Sequence, residues 1–161
     1  MIGDALHHTR SLLQEISPSI LHELGLSAAL DALAKQINAK YGLTIVLESP
    51  QSIGKIAEGA QILLFQAARE LLLNIIKHAK VSTASVSIQE IENNIRVQVK
   101  DDGVGFDASA MQTIFNRSGG FGLFNIRERL KLWDGHMEVK SGHGMGTCIT
   151  ISVPHKKRSQ Q

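Results

Sequence analysis

Between Gln66 and Lys80 the sequence has a helical period and is apolar around most of its circumference, and no other segment restricts the fold as strongly. Ile62, Leu63, Phe65, Ala67, Ala68, Leu71, Leu72, Ile75, Ile76 and Ala79 cover nearly the whole girth of a helix rising from about Ala57 to His78. A helix of that kind belongs in the middle of a core. Glu70, Asn74, Lys77 and His78 fall at i, i+4, i+7 and i+8, along one narrow side. Polar groups on so apolar a helix face either a cavity and its ligand or a solvated edge, because unpaired burial is costly.

The flanking sequence supplies the layers that such a helix packs against. Asp4 to Ile16 reads as a helix with Leu6, Leu12, Leu13 and Ile16 as a narrow stripe suited to a partner helix, ended by Pro18. A second helix starts from Ser27 as N-cap, with Ala28, Ala29, Leu30, Leu33, Ile37 and Tyr41 on its core face and Gly42 closing it. Leu43 to Glu48 alternates as a strand. Ala84–Glu90 and Ile95–Asp101 form a hairpin across Glu92-Asn93-Asn94, where asparagine tolerates positive φ. Gly103 to Gly120 is a long loop with one short helix near Ala108–Ile114, and its length marks it as functional. Gly122 to Trp133 is helical, and His136–Lys140 and Thr147–Val153 close the chain as a hairpin over Gly142–Gly146. The basic tail from His155 to Gln161 is expected to fray. The fold class is α+β, a two-layer α/β sandwich with helices on one face of a mixed sheet.

Composition bounds the function. With 161 residues, 43% of them apolar, the chain can bury one core of ordinary size. A net charge of +2 gives no reason for a nucleic-acid partner or for direct contact with a membrane. The single cysteine, Cys148, rules out a disulfide within the chain and reads as an inert strand thiol in a reducing compartment. His7 and His8 point to different sides of their helix with no metal-ligand spacing, and Lys156-Lys157-Arg158 is a solvated charge run.

Three glycine-bearing segments complete the pattern set by the central helix. Asp101-Asp102-Gly103-Val104-Gly105-Phe106 follows a strand, Gly119-Gly120-Phe121-Gly122-Leu123 opens a helix, and Gly142-His143-Gly144-Met145-Gly146-Thr147 fills a hairpin turn. Each alone is an ordinary turn. In this order, after the Glu70/Asn74 helix, they are specific. From Tyr41 to Pro154 the chain resembles the GHKL, or Bergerat-fold, ATP-binding family of histidine kinases, type II topoisomerases, Hsp90 and mismatch-repair ATPases. Glu70 to Ala79 is similar to its N box, Asp101 to Gly105 to its G1 box, and Gly120 to Leu123 to its G2 box. Ser17 to Leu30 resembles the end of the dimerisation helix in the histidine-kinase branch that partners NarL-type response regulators, and Lys77-His78-Ala79 fits the same branch.

The residues can carry the chemistry that the resemblance implies. Asn74 offers a neutral oxygen for Mg²⁺. One turn earlier, Glu70 can reach the same ion through water, or remain a helix-surface glutamate. Lys77 is a point charge for phosphate, and His78 fits either ligand contact or core packing. Asp101, ending a buried strand, can accept the exocyclic amine of adenine, a bond worth roughly 1.5–3 kcal/mol. Gly103 and Gly105 let the backbone close on the base, and the N–H groups around Gly120, Gly122 and Leu123 can meet phosphates. Thr147 resembles the second adenine-side contact. Asp102 stands where the family commonly has asparagine, a departure this branch tolerates. Arg127 and Arg129 could help with phosphate, but helix salt bridging is the simpler reading for both.

What the resemblance implies is the catalytic domain of a cytoplasmic sensor histidine kinase, with ATP and Mg²⁺ as cofactors. The γ-phosphoryl group would pass to a histidine upstream of Met1 and then to a response-regulator aspartate. Residues 1–26 would be the end of the dimerisation helix and a linker, 27–154 the ATP-binding domain and 155–161 a tail, within a homodimeric parent that a membrane segment elsewhere could anchor. The alternatives from other classes are an anti-sigma-type serine kinase and a nucleotide-binding module without transfer activity.

Overall fold

The computed structural model describes residues 19–110 and 121–156. The helix read over Asp4–Ile16, the later part of the Ala108–Ile114 helix, Gly119-Gly120 and the end of the basic tail lie outside the described residues. Residues 19–24 form a short helical segment, and α1 follows at Leu26–Tyr41, then β1 at Thr44–Glu48 and α2 at Glu58–His78. The chain continues with β2 (Thr83–Ile91), β3 (Asn94–Asp101), a single 3-10 turn (Ala108–Ala110), α3 (Phe121–Lys131), β4 (His136–Ser141) and β5 (Thr147–Pro154).

The five strands lie in the order β1-β2-β3-β5-β4. Only β1 and β2 run parallel, a pairing that needs a crossover, which α2 supplies; the other pairs are antiparallel. Alternation along the strands sorts the two faces. Val86, Ile88, Ile95, Val97, Val99, Ile149, Ile151 and Val153 are buried beneath the helices, while Ser85, Ser87, Gln98 and Thr150 line the other face. The expected two-layer α/β architecture is what the chain forms.

α2 lies across this sheet, packed against β3 and β5 and flanked by α1 and α3. Its Leu63, Leu64, Leu71 and Leu72 are almost inaccessible. By length and composition alone these 21 residues could cross a membrane, a reading the sequence pattern did not raise. Packing of the apolar positions into the core of the fold accounts for the same apolarity.

Local chemistry departs from expectation at five places. Ser27 does not cap α1: the helix begins one residue earlier after Gly25, with no side-chain cap, and the Ser27 hydroxyl lies 2.6 Å from that of Ser49. Gly25 has a φ of 89°, so a glycine turn from the preceding segment does the work of the cap. That segment is itself part of the domain. Leu21 and Leu26 are buried in the main core, and Gln61 Nε2 donates to the Leu21 carbonyl at 3.1 Å, so the core begins before Ser27. In the β2–β3 turn Glu92, not an asparagine, takes the positive φ. Finally, His155 is anchored: its N–H donates to Asn93, its carbonyl accepts from Ala57, and its ring lies 2.9 Å from the Glu90 carboxylate. Gly42, by contrast, closes α1 as expected, with φ 72° and its N–H on the Asn38 carbonyl. Tyr41, placed on the core face of that helix, is exposed instead.

Gly59, in the first turn of α2, is held by packing. A methyl group there would collide with the indole of Trp133, the single tryptophan, at the far end of α3. Alanine is worth about 1 kcal/mol more than glycine in a helix interior, but overpacking against a rigid ring costs about 1–3 kcal/mol. Gly59→Ala is therefore expected to lower the urea-unfolding free energy and to shift Trp133 fluorescence; an unchanged or raised midpoint would show that α3 yields freely.

Candidate functional site

The site grows from the end of α2. The helix closes on Ala79 in ordinary helical geometry, which leaves its last carbonyls in need of donors. Ala79 finds one in the Val104 N–H at 3.1 Å. Such an approach is open only because Gly103 lacks a side chain, since a methyl there would strike the Ala79 carbonyl. The loop after β3 is thereby fastened to the end of the central helix.

The same loop interlocks with the β4–β5 turn. Gly144 N–H donates to Val104 O at 2.7 Å, Gly146 N–H to Gly103 O at 3.0 Å, and Phe106 N–H to Ser141 Oγ at 2.9 Å. Gly105 and Gly146 both take positive φ, and a side chain on either would run into backbone carbonyls, of Gly142 and Asp101 respectively. Three segments from different parts of the chain thus meet backbone to backbone.

Asp101 sits at their junction. It is 5% exposed and is the one buried charged side chain among the described residues. Its Oδ1 accepts the Gly103 N–H at 2.8 Å. Burial holds its carboxyl above the ordinary carboxylate range; hydrogen bonding from Gly103 opposes this, the Asp102 charge adds to it, and the Thr147 N–H opposes it again. Thr147 is the direct cross-strand neighbour of Asp101, and Ser141 is the neighbour of Thr147 on the next strand. Asp101, Thr147 and Ser141 form a row across three strands at one end of the sheet. Sequence reasoning missed Ser141; its signal was a hydroxyl closing β4, just before the glycine turn.

On α2, Glu70 and Asn74 are half-buried, whereas Lys77 and His78 are exposed, which removes core packing as the reason for His78. Gly122, in the first turn of α3, lies flush against the Glu70 carboxylate, where a methyl group would collide with Oε1. A carboxylate beside a helix N-terminus is electrostatically favoured. Leu123 packs on the rim of the core. Arg129 donates to Gln66 Oε1 at 2.6 Å, so it bridges α3 to α2 through an amide instead of a salt bridge, and Arg127 is half-buried. Asp102 is exposed, 3.9 Å from Lys100. Cys148 is a half-buried free thiol. No cluster of three or more His, Cys, Asp or Glu side chains able to hold a metal occurs among the described residues. A metal here would need a ligand such as Asn74 together with oxygens brought by a substrate.

Comparison with known proteins identifies the family and the fold. Residues 59–157 match the family model described as histidine kinase-, DNA gyrase B- and HSP90-like ATPase. An uncharacterized sensor-like histidine kinase of Chloroflexus aurantiacus is 36% identical over 151 residues, covering 92% of this chain and 25% of the relative. The oxygen sensor histidine kinase NreB of Staphylococcus carnosus is 34% identical over 145 residues, covering 90% of this chain and 41% of that protein. The chain therefore spans less than half the length of these relatives. A blue-light activated histidine kinase from Erythrobacter litoralis shares the fold at a TM-score of 0.68 and 20% identity, over 83% of this chain and 42% of that one. Full-length ShkA in complex with AMPPNP does so at 0.67 and 20%, over 84% and 30%. With the family model matching well over half its length, the chain belongs to the histidine kinase-, DNA gyrase B- and HSP90-like ATPases, whose nucleotide is ATP.

Proposed function

We propose that this chain is the ATP-binding catalytic domain of a sensor histidine kinase, which transfers the γ-phosphoryl group of ATP to a histidine on a helix of the longer protein. The observation that carries the proposal is the junction at Asp101: one buried carboxylate, beside the Thr147 hydroxyl, enclosed by glycine turns that are tied to the end of the Glu70/Asn74 helix. Nothing in the packing of the core needs a charge at that point, and burying one costs stability. A base with an exocyclic amine offers this carboxylate a donor beyond the two backbone N–H groups it already accepts from.

Each residue then takes a role that its chemistry allows. Asp101 accepts from the adenine amine, and Thr147 contacts the same edge. Gly103 and Gly105 let the backbone approach the base. The N–H groups of Gly122 and Leu123, at the start of α3, would meet the phosphates, with Lys77 and His78 as exposed cationic or hydrogen-bonding groups at the end of α2. Asn74 supplies an amide oxygen to Mg²⁺, and Glu70 accepts from water on that ion or orients the attacking group. Bound magnesium would neutralise charge developing on the transferred phosphoryl group.

Two relatives at 36% and 34% identity, both named as sensor histidine kinases, favour this reading over an anti-sigma-type serine kinase or an inactive nucleotide-binding module. The second, with the Ser17–Leu30 motif, supports a dimeric cytoplasmic kinase domain that hands its phosphoryl group to an aspartate of a NarL-type regulator. The stalk would join the domain upstream of the buried Leu21.

Two measurements test the assignment. Calorimetric titration with ATP and magnesium is expected to give a binding isotherm, and Asp101→Asn to weaken it at least several-fold, as loss of one hydrogen bond to a charged group of about 1.5–3 kcal/mol requires. The same variant has a stability signature. The folded carboxyl of Asp101 binds its proton more tightly than the unfolded one, so its contribution to stability is fully present below the unfolded value of 3.8 and is lost as pH rises through the folded value. Asp101→Asn lacks that loss. Urea unfolding from about pH 3.5 to 7 should therefore show the variant gaining on the wild type as pH rises and holding a constant lead near neutrality; parallel curves would place the Asp101 charge in water.

The second measurement concerns transfer. The longer kinase, incubated with γ-labelled ATP and magnesium, should acquire acid-labile label, and Asn74→Ala should slow labelling on the order of a hundredfold. Acid-stable label on a serine would instead select the serine-kinase alternative.

A further inference from the structure

The hydroxyl of Ser141 makes three contacts and has one proton. Its Oγ lies 2.9 Å from the Phe106 nitrogen, 2.9 Å from the Gly146 carbonyl oxygen and 2.8 Å from Thr147 Oγ1. The Phe106 N–H can only donate, and the Gly146 carbonyl can only accept. The Ser141 proton is thus committed to Gly146. The hydrogen in the third contact must come from Thr147, which donates to a Ser141 lone pair. Ser141 is saturated, and Thr147 is left with lone pairs alone for anything else it touches.

Thr147 stands directly across from Asp101, so the two lie side by side at the same level of the sheet. An ionised carboxylate is also acceptor-only. We infer that Ser141 is a specificity-determining positioning residue: by capturing the Thr147 proton it turns the Asp101–Thr147 edge into a pair of acceptors, which receives a 6-amino purine and rejects a 6-oxo purine. This deepens the nucleotide-binding reading and rests on it. Without Ser141 the Thr147 hydroxyl could rotate and donate to a carbonyl at that edge. A serine at 141 would in that case set selectivity without touching the base.

Ser141 also holds Phe106 and Gly146, so its loss will loosen the loop. A loosened loop weakens every nucleotide alike, and the ratio between two nucleotides removes that effect. Binding of ATP and of inosine triphosphate, each with magnesium, is measured by calorimetry for the wild type, Ser141→Ala, Ser141→Thr and Thr147→Val. The wild type is expected to prefer ATP. Ser141→Ala should shrink that preference at least about fivefold, the equivalent of one hydrogen bond of about 1 kcal/mol. Ser141→Thr keeps the hydroxyl and should keep the preference. Thr147→Val keeps the shape, removes the acceptor, leaves the Ser141 bonds to Phe106 and Gly146 in place, and should shrink the preference too.

A Ser141→Ala protein that binds both nucleotides more weakly in an unchanged ratio would overturn the inference, leaving Ser141 as a brace. So would a Thr147→Val protein with the wild-type ratio, a result that stands even if Ser141→Ala fails to fold, or a Ser141→Thr protein that loses the preference. A wild type that binds ATP and inosine triphosphate equally sinks this inference alone, whereas a wild type that binds no ATP sinks the nucleotide-binding reading as well.

Discussion

The bond from the Val104 N–H to the Ala79 carbonyl couples everything that matters in this molecule. α2 is held by the core residues along most of its length, and β3 is a central strand, so each is rigid by itself. What sets Asn74 on one against Asp101 on the other is the short passage where their ends meet. α1 closes at Gly42, a left-handed glycine whose N–H bonds the Asn38 carbonyl. α2 makes the matching bond from the Ala79 N–H to the Ile75 carbonyl, and left-handed Lys80 follows it. The Ala79 carbonyl then accepts from the loop after β3, an approach that Gly103 makes possible. An unsatisfied backbone group, normally a cost, here becomes the joint between two parts of a site.

The charge at Asp101 belongs to the same design. A buried carboxylate opposes folding, and the two N–H groups aimed at it offset only part of that opposition, since its proton affinity stays raised. A neutral residue would fold as well or better. Proteins accept such local costs where a ligand supplies the missing partner. The surroundings match that logic: tight backbone crossings at Gly103, Gly105 and Gly146 leave no room for side chains that could shield the carboxylate.

Much of this was legible in the sequence because it depends on period and on glycine. The apolar girth of α2 required a central helix. The alternation of Ile95, Val97, Val99 and Asp101 put the carboxylate on the buried face of a strand end, and Gly103, Gly105 and Gly146 stood where the backbone had to cross. What escaped depends on tertiary partners. Ser27 has the chemistry of a cap, yet Gly25 turns the chain first and Ser49 occupies its hydroxyl. His155 looked like the start of a frayed tail, but Glu90 and two backbone bonds from distant segments hold it. Leu21 stands in a short segment of its own, and the core that buries it is completed by elements later in the chain. Ser141 closes a strand like any other polar residue, and only the register β3-β5-β4 brings Asp101, Thr147 and Ser141 into one row.

That row shows how a sheet can set polarity as well as position. A hydroxyl is ambivalent: Thr147 alone could serve as donor or acceptor to whatever lies beside Asp101. The ambiguity ends because the chain of contacts terminates in groups with only one role. The Gly146 carbonyl must accept and the Phe106 N–H must donate, so the proton order is forced through Ser141 to Thr147. The backbone of the glycine turn thereby fixes the direction of the hydrogen bond between Ser141 and Thr147, on the strand that faces the carboxylate. The same turn carries Gly144 and Gly146, whose N–H groups hold the loop of Gly103 and Val104. Glycine spacing in this turn thus serves two ends with one geometry: it closes the backbone around a site, and through the Gly146 carbonyl it decides which chemical edge that site presents.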